Sequence, residues 1–212
     1  NIVDMINKKK LKKFIYASSS SVYGEQKKFP TSEDSRLNSK NPYGLSKIIN
    51  EELGQVYSKF FNSKFVGLRF FTVYGEWGRP DMFIIKLLNS IKKRKIFNLN
   101  NDGDHYRDFT YIGDIVDACY RLIKYKPKQK HTILNICAGQ KVNISKLASN
   151  ITSKYPNAKI KNIPANKADV YQTFGNNKKI IKELKIAKFT KIDHGLKKTI
   201  NWFRISKVYN LI

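Results

Sequence analysis

The feature that most constrains the fold is a strand–helix–strand succession in the first part of the chain. The apolar runs "KFIYASS" (13–19) and "KFVGLRFFTVYG" (64–75) are typical of buried strands. Between them, apolar residues recur at helical spacing from about Tyr43 to Phe61. Two strands joined by a helix of this length form a βαβ unit, in which the strands run parallel. We therefore expect an α/β protein in which helices pack on a parallel sheet.

The rest of the chain continues this alternation. A third strand is predicted at 132–138 ("TILNICA"), and residues 1–10 are typical of the end of a helix that leads into the first strand. Further helices are predicted near 81–93, 114–124, 143–154 and 192–205. In the helix near 114–124, Asp114 is a candidate N-cap and Asp117 lies in the first turn.

Length and composition bound the class of protein. A chain of 212 residues, 41% of them hydrophobic, is long enough for one large domain or for one and a half domains. No run approaches the roughly 20 apolar residues that a membrane span requires, and the N-terminus lacks the pattern of a signal peptide. We therefore expect a soluble, cytoplasmic protein with no membrane partner.

The formal net charge of +25 makes nucleic acid a candidate partner. The lysines are nevertheless spread along the whole chain, and the basic runs "KKKLKK" and "IKKRK" have no aromatic residues between the basic ones to serve as stacking platforms. We expect no nucleic-acid binding. A basic module that binds a nucleotide or nucleic acid without catalysis is the alternative from another functional class.

The cysteines and histidines do not indicate a metal site. Cys119 and Cys137 lie in apolar segments, which favours buried free thiols over a disulfide or metal ligation. The three histidines are isolated and show no ligand spacing with Cys, Asp or Glu. We expect no protein-bound metal.

The segment "YGLSK" places Tyr43 and Lys47 four residues apart near the start of the predicted helix. This spacing puts both side chains on one helix face, where they can approach a common ligand. A neighbouring ammonium stabilises a phenolate, and such a tyrosine can take or give a proton at an alcohol carbon. Taken alone the pattern is weak, because any helix can carry a packed Tyr and a solvated Lys at this spacing.

Four consecutive serines, residues 18–21, follow the first predicted strand. Ligands bind at the C-terminal edge of a parallel sheet, and hydroxyls there can hydrogen-bond the oxygen that a tyrosine protonates. A strand-end turn with local side-chain bonds accounts for one or two of the serines but less well for four. Together with Tyr43 and Lys47, the serines indicate a candidate active site at this edge.

Five motifs occur in order along nearly the whole chain: "YASSSSVYG" (16–24), "NPYGLSK" (41–47), "GLRFFTVYGEWGRPDM" (67–82), "RDFTYIGDIVDA" (107–118) and "ADVYQTF" (168–174). In this combination the sequence resembles the extended short-chain dehydrogenases/reductases, specifically the NAD-dependent epimerase/dehydratase family and most closely its UDP-glucuronate 4-epimerases. The resemblance implies the C-terminal part of a Rossmann-like, doubly wound parallel sheet and a smaller α/β substrate-binding region.

The same resemblance implies a division of the chain. Residues 1–75 would form the C-terminal part of the NAD-binding domain, residues 76–212 would mainly bind the nucleotide sugar, and 107–140 would return to the Rossmann core. No G-x-G-x-x-G fingerprint occurs, and Asn1 is not an initiator Met. We therefore expect either a fragment without the glycine-rich half of the domain, which could be inactive alone, or a chain that does not bind a dinucleotide alone.

Catalytic and cofactor roles follow from the positions that match the family motifs. Ser19 falls at the catalytic Ser/Thr, Tyr43 at the acid/base, and Lys47 at the residue that binds the nicotinamide ribose and favours the tyrosine phenolate. Phe71 falls where the backbone meets the nicotinamide side of the cofactor. The implied cofactor is NAD, bound by these four residues.

Substrate roles follow in the same way. Ser20, Ser21 and Thr72 match hydroxyl positions that surround the C5 carboxylate of the sugar in glucuronate epimerases. Arg79 and Arg107 match positions that hold the nucleotide sugar, where guanidinium suits the UDP diphosphate. Asp169 lies in the C-terminal substrate motif. From the residues alone, an exposed Arg79 in a loop and an Arg107 paired with Asp108 or Asp104 are the alternatives.

The implied reaction is oxidation and re-reduction at C4, which interconverts UDP-glucuronate and UDP-galacturonate while NAD stays bound. UDP-glucose 4-epimerase, or another NAD-dependent sugar epimerase, is the alternative. A 4,6-dehydratase is disfavoured because the serine segment has no Asp or Glu before Glu25. The resemblance also implies a homodimer, formed through a four-helix bundle that includes the helix at 43–61, and a role in the synthesis of surface polysaccharide.

Overall fold

The computed structural model describes Met5, residues 11–165 and residues 169–206. Its strands are β1 (Lys13–Ser19), β2 (Lys64–Phe70), β3 (Thr72–Tyr74), β4 (Ile96–Asn100), β5 (Tyr106–Tyr111), β6 (His131–Ile136), β7 (Lys141–Asn143) and β8 (Lys159–Ile163). Its α-helices are α1 (Pro42–Phe60), α2 (Phe83–Lys92), α3 (Ile112–Lys124), α4 (Ile144–Thr152), α5 (Lys178–Leu184) and α6 (Ile192–Ile205). Single 3-10 turns follow β1 and β4, at Ser20–Val22 and Asn101–Gly103.

The first sheet is parallel and has the strand order β1–β2–β6. Ser19 pairs with Phe70, and Phe70 pairs with Ile136, so the three strands end together at one edge. Helix α1 connects β1 to β2 and packs on both strands. The predicted βαβ unit and the α/β class are therefore confirmed.

The apolar run at 64–75 is two strands rather than the one that the sequence predicts. The backbone N–H of Phe71 still donates to the carbonyl of Ile136 at 3.1 Å, but the chain then leaves the first sheet. Thr72 begins β3, which pairs in parallel with β5 through Phe109, and β5 pairs antiparallel with β7. Phe71 and Thr72 thus lie where the two sheets meet.

Two large apolar clusters hold the helices on the strands. One joins side chains of α2, α4 and α6 with those of β3, β4 and β5. The other joins α3 and α5 with β2 and β6. A third, smaller cluster contains Val22, Tyr23, Phe71 and Cys137, and it packs directly behind the serine segment. A pair of parallel strands, β4 and β8, completes the fold.

The helices predicted near 81–93, 114–124, 143–154 and 192–205 are all present. The capping role of Asp114 is wrong, because α3 begins at Ile112 after Tyr111, which makes no side-chain cap bond. Asp114 instead lies in the first turn and accepts hydrogen bonds from the backbone N–H and hydroxyl of Thr190, both at 2.8 Å. Asp117 lies beyond the first turn and pairs with Arg121.

Several expectations about single residues also change. Cys137 is a buried free thiol as predicted, but Cys119 is exposed. The described residues contain no cluster of three or more His, Cys, Asp or Glu side chains that could hold a metal. Within the part of the chain that the structure covers, no helix has the length and apolarity that spanning a membrane requires. The helix expected at 1–10 lies outside the described residues apart from Met5.

Candidate active site

A cavity of about 540 Å³ opens at the edge where β1 and β2 end. This volume falls in the usual range for small-molecule sites. Its lining includes seven of the residues singled out from the sequence: Ser19, Ser20, Ser21, Tyr43, Phe71, Thr72 and Arg79. Residues from three chain segments, 19–21, 43 and 71–79, therefore meet around one space. We call this space the catalytic cavity.

The hydroxyl of Ser19 organises the turn at the end of β1. Ser19 is extended and largely buried, and its Oγ accepts a hydrogen bond from the backbone N–H of Ser21 at 3.1 Å. The Ser19 hydroxyl donates in turn to Oγ of Ser21 at 3.2 Å. This cap starts the 3-10 turn and fixes both hydroxyls at the cavity wall. A substrate oxygen that accepted a hydrogen bond from the Ser19 hydroxyl would replace Oγ of Ser21 as the acceptor of that bond.

Tyr43 lies in the first turn of α1, whose start is encoded locally. Asn41 caps the helix by accepting the backbone N–H of Gly44 at 2.8 Å, and Pro42 occupies a first-turn position where its missing N–H costs nothing. Gly44 lets the helix approach the serine turn, since a Cβ there would lie 2.4 Å from the Ser21 carbonyl oxygen. Tyr43 remains 56% exposed, so its hydroxyl is accessible to a ligand in the cavity.

Lys47 follows Tyr43 by one helical turn and lies on the same face. Its Nζ is 5.6 Å from the centroid of the Tyr43 ring and donates to the backbone carbonyl of Ala17 at 3.0 Å. An ammonium has three N–H donors, so this contact leaves others for a ligand beside Tyr43. The structure thus brings Ser19, Tyr43 and Lys47 to one place, as the sequence predicts.

A buried ionic network lies directly behind this group. Ser18 donates to Oε1 of Glu51 at 2.5 Å, and Arg69 donates to both carboxylate oxygens of Glu51, at 2.9 and 2.6 Å. Arg69 also donates to Oη of Tyr23, which donates to Asn135. This network was not predicted from the sequence, and Ser18 was given no role of its own. The signal available was a charged Arg inside the apolar run of β2 at residues 65–70.

A second cavity, of about 330 Å³, lies between β4, β5 and α2. Arg107 and Asp169 line it and form an ion pair, with Nη2 of Arg107 3.0 Å from Oδ1 of Asp169. The pairing of Arg107 with Asp108 or Asp104 is therefore not observed. Burial lowers the pKa of Arg107, and the neighbouring Asp169 opposes that shift. We call this space the nucleotide cavity, because Arg107 is predicted to bind the nucleotide sugar.

The nucleotide cavity also contains residues that the sequence analysis did not select. Its polar lining includes Lys86, Asn98, Asn100 and His105, and its apolar lining includes Phe83, Phe97 and Phe109. Burial, followed by the charge of Arg107, lowers the pKa of His105. Phe97, Asn98 and Asn100 belong to β4, which was not predicted from the sequence.

Thr72 links the two spaces. It lines the catalytic cavity, the nucleotide cavity and a smaller space of about 150 Å³ between them. Ser20, Ser21, Arg107 and Asp169 line this smaller space as well. The predicted carboxylate-binding hydroxyls and the predicted diphosphate-binding guanidinium therefore line the same small space.

Arg79 lies at the exposed rim of the catalytic cavity. Its guanidinium makes a two-point contact with Asp81, through Nε at 3.0 Å and Nη2 at 2.5 Å. The side chain is 74% exposed, which places Arg79 in a solvent-facing loop rather than inside the cavity. A phosphate that bound here would have to compete with Asp81.

Asp108 stabilises the surroundings of the site through buried hydrogen bonds. It has no exposed surface, and its carboxylate accepts the backbone N–H groups of Ala138, Gly139 and Gly175, each at 3.1 Å. These bonds tie β5 to the segment after β6 and to the segment that follows the Asp169 motif. Burial raises the pKa of Asp108 to about 7, although the backbone donors oppose the shift.

The arrangement suits the nicotinamide ribose end of a dinucleotide. The Ser19 and Tyr43 hydroxyls and the Lys47 ammonium offer donors to ribose and carboxamide oxygens. The same cavity has an apolar wall that includes Phe70, Val73 and Ile112. The described residues that would contact this half of the cofactor therefore fit it.

A parallel sheet with a serine hydroxyl and a Tyr–Lys pair at its carboxyl edge is typical of the short-chain dehydrogenases/reductases. The chain belongs to the NAD dependent epimerase/dehydratase family, whose sequence model matches residues 1–137. NAD is the cofactor of this family. The predicted family, fold class and cofactor are confirmed.

Individual relatives refine this assignment. The chain is 39% identical over 210 residues to an uncharacterized protein of Methanocaldococcus jannaschii, covering 98% of this chain and 64% of that protein. It is 34% identical over 215 residues to UDP-glucuronate 4-epimerase 1 of Arabidopsis thaliana, covering 92% of this chain and 50% of that protein. The chain thus spans between half and two thirds of the length of these curated relatives.

A solved structure shows the same fold. UDP-glucuronic acid 4-epimerase from Bacillus cereus, in complex with UDP-glucuronic acid and NAD, matches with a TM-score of 0.87 and 30% identity. The match covers 96% of this chain and 65% of that one. The likeness thus extends over nearly the whole chain.

Proposed function

We propose that the protein is an NAD-dependent nucleotide-sugar 4-epimerase that interconverts UDP-glucuronate and UDP-galacturonate. One observation carries the proposal: Ser19, Tyr43 and Thr72 line one cavity, and Thr72 also lines the smaller space that Arg107 and Asp169 line. A ligand with a reacting sugar at one end and an anionic nucleotide at the other matches that shape. Two relatives named as glucuronate epimerases support the choice of sugar.

In this proposal Tyr43 moves the proton at the C4 oxygen. Tyr43 lines the catalytic cavity, and the ammonium of Lys47 lies 5.6 Å from the centroid of its ring. Ser19 holds the same C4 oxygen by a hydrogen bond. NAD, which Ser19, Tyr43 and Lys47 would help to hold, would supply reversible hydride transfer at C4. Tyr43 then gives the proton back to the inverted C4 oxygen.

Recognition of the sugar carboxylate rests on uncharged donors. The hydroxyls of Ser20, Ser21 and Thr72 line the space between the two cavities. Hydroxyl donors can hold a carboxylate without a buried counter-ion, so the sugar can turn over between the two hydride transfers without breaking an ion pair. The alternative is a UDP-glucose 4-epimerase, whose substrate bears a hydroxymethyl group at C5 to which the same hydroxyls can hydrogen-bond.

Binding of the UDP portion falls to the nucleotide cavity. Arg107 is mostly buried and already faces one carboxylate, so a diphosphate oxygen would share or displace Asp169 as its partner. Arg79 would join from the rim after leaving Asp81. The apolar lining of the cavity, which includes Phe97 and Phe109, suits one face of a base.

We also propose a homodimer formed through α1. Its outward face carries five exposed apolar residues at helical spacing, which are Leu45, Ile49, Leu53, Val56 and Phe60. An apolar stripe of this length is unusual on the surface of a monomer, and a second copy of the same helix would cover it. Light scattering on Ile49→Glu/Leu53→Glu, with Lys59→Glu as the control, tests this: only the double variant should be monomeric.

Turnover of UDP-glucuronate by the full-length protein tests the epimerase proposal. Proton NMR should show UDP-galacturonate appearing until the two sugars reach equilibrium, with no net change in NAD. Turnover of UDP-glucose without turnover of UDP-glucuronate would replace the glucuronate assignment with the alternative. The division of the chain at residue 75, the cytoplasmic location, the absence of nucleic-acid binding and the role in polysaccharide synthesis stay predictions.

A further inference from the structure

Helix α1 is fastened to the end of β1 at two successive points. Lys47 donates to the carbonyl of Ala17 at 3.0 Å, and Glu51 accepts the hydroxyl of Ser18 at 2.5 Å. Ala17 and Ser18 are consecutive in the strand, and Lys47 and Glu51 are one turn apart in the helix. Both contacts lie immediately before Ser19 in the strand.

The second point is buried and fully engaged. Glu51 and Arg69 are each only 4% exposed, and Arg69 grips both carboxylate oxygens from β2. Arg69 is itself held by Oη of Tyr23 and the carbonyl of Glu33, both at 2.8 Å. Because a buried charge is stable only when it is paired and hydrogen-bonded, this cluster has one favourable arrangement. The carboxylate of Glu51 therefore fixes α1 to two strands at once.

The contacts of Glu51 affect the positions of both Ser19 and Tyr43. Ser18 precedes Ser19, so its bond to Glu51 restricts the backbone that orients the Ser19 hydroxyl. Tyr43 precedes Glu51 on the same rigid helix by about 12 Å of axial rise. A rotation or slide of α1 at Glu51 would move the Tyr43 hydroxyl away from the Ser19 side of the cavity.

We propose that Glu51 is a positioning residue, which sets the distance between the Tyr43 hydroxyl and Ser19 by binding Ser18 and Arg69. Its catalytic consequence rests on the proposed function, but its geometric consequence does not. Misplacement of a reacting group by about 1 Å can cost on the order of a hundredfold in rate, while remote binding contacts are unaffected. The expected signature is a loss of kcat with KM preserved.

Two variants test the contacts of Glu51 with Ser18 and Arg69, which we call the clamp. Ser18→Ala removes only the hydrogen bond between Ser18 and Glu51, and it leaves the Glu51–Arg69 pair intact. Glu51→Gln keeps the length of the side chain but turns an amide N–H₂ towards an Arg69 donor. Glu52→Gln, the same change at the exposed neighbouring position of α1, is the matched control.

Kinetics and backbone amide NMR of the full-length protein give separate answers. We expect kcat to fall about tenfold in Ser18→Ala and about a hundredfold in Glu51→Gln, with KM within about twofold of the wild type and no change in Glu52→Gln. The amide signal of Tyr43 should shift in both clamp variants and not in the control, and that of Ser19 should shift in Glu51→Gln. If Glu51→Gln does not fold, Ser18→Ala alone decides.

The possible outcomes separate the two proposals. A folded Ser18→Ala with an unchanged Tyr43 amide signal and unchanged kcat would overturn the positioning role. A lowered melting temperature with that signal and kcat unchanged would also overturn it, since that result indicates a structural role alone. If the wild type turns over no nucleotide sugar, the proposed function fails, and the amide shifts still decide the role of Glu51.

Discussion

The ammonium of Lys47 donates a hydrogen bond to the backbone carbonyl of Ala17, two residues before Ser19. This contact ties the helix that carries Tyr43 to the strand that carries Ser19. Lys47→Met keeps much of the apolar side-chain length but removes every N–H donor. We expect this variant to lose most of its turnover and most of its bound NAD. Assay of NAD released on denaturation checks this, with Lys59→Met on the same helix as the control.

Tyr43→Phe removes the group that is proposed to move the proton while it keeps the ring that lines the cavity. Because general acid–base groups contribute on the order of 10²- to 10⁴-fold, kcat should fall by about that factor. Affinity for UDP should stay within about twofold, since UDP is proposed to bind in the nucleotide cavity. Steady-state kinetics and calorimetry test both expectations. Comparable activity in Tyr43→Phe and in a Tyr57→Phe control would exclude Tyr43 as the acid/base.

Asn41 and Asn143 cap different helices in the same way. Asn41 accepts the backbone N–H of Gly44 at 2.8 Å, and Asn143 accepts that of Lys146 at 2.9 Å. Replacement of either by Ala should cost about 1 kcal/mol of unfolding free energy, measured by urea denaturation. Only Asn41→Ala should also lower kcat, because its helix begins with the turn that contains Tyr43. An equal effect of the two variants on kcat would contradict the local role of the Asn41 cap.

Arg107→Lys tests whether a planar guanidinium is needed in the nucleotide cavity. A lysine keeps the charge but cannot contact a phosphate at two points. We expect the affinity for UDP to fall about tenfold, which is about 1.4 kcal/mol of binding free energy. Titration calorimetry measures it, with the exposed Arg121→Lys as the control. Unchanged UDP affinity in Arg107→Lys would place the diphosphate elsewhere.

Asp108 makes stability depend on pH in an unusual direction. Burial raises its pKa in the folded state to about 7, above the ordinary value of 3.8. Between those values the folded state binds more protons than the unfolded state, so this residue makes stability fall as pH rises from about 4 to about 7. Between about pH 5 and about pH 8, the free energy of unfolding should therefore fall more for the wild type than for Asp108→Asn, as measured by denaturation at the two pH values. Parallel pH dependence in the two proteins would contradict the raised pKa.

Local sequence patterns predicted where the serine segment, Tyr43 and Lys47 lie in the fold. Ser19 lies at the end of β1, Tyr43 in the first turn of α1 and Lys47 one turn later, and these placements follow from short segments. Periodicity also gave the βαβ unit and the bounds of α6. These predictions succeed because backbone propensity and spacing within one element determine them.

Contacts between distant segments could not be predicted in this way. Arg107 pairs with Asp169, which is 62 positions away in the chain, rather than with a neighbouring aspartate. The Glu51–Arg69 pair joins a helix to a strand, and the break at Phe71 depends on a second sheet that forms later in the chain. Such features are set by the path of the chain through space, which no single segment encodes.

The most direct test of the central claim is to follow UDP-glucuronate with the full-length protein and NAD in D₂O by proton NMR. Oxidation and re-reduction at C4 return the same hydride to the sugar, while only the hydroxyl proton exchanges with solvent. We expect the product to be UDP-galacturonate that retains hydrogen at C4 and at C5. Absence of product, or product with deuterium at either carbon, would contradict it.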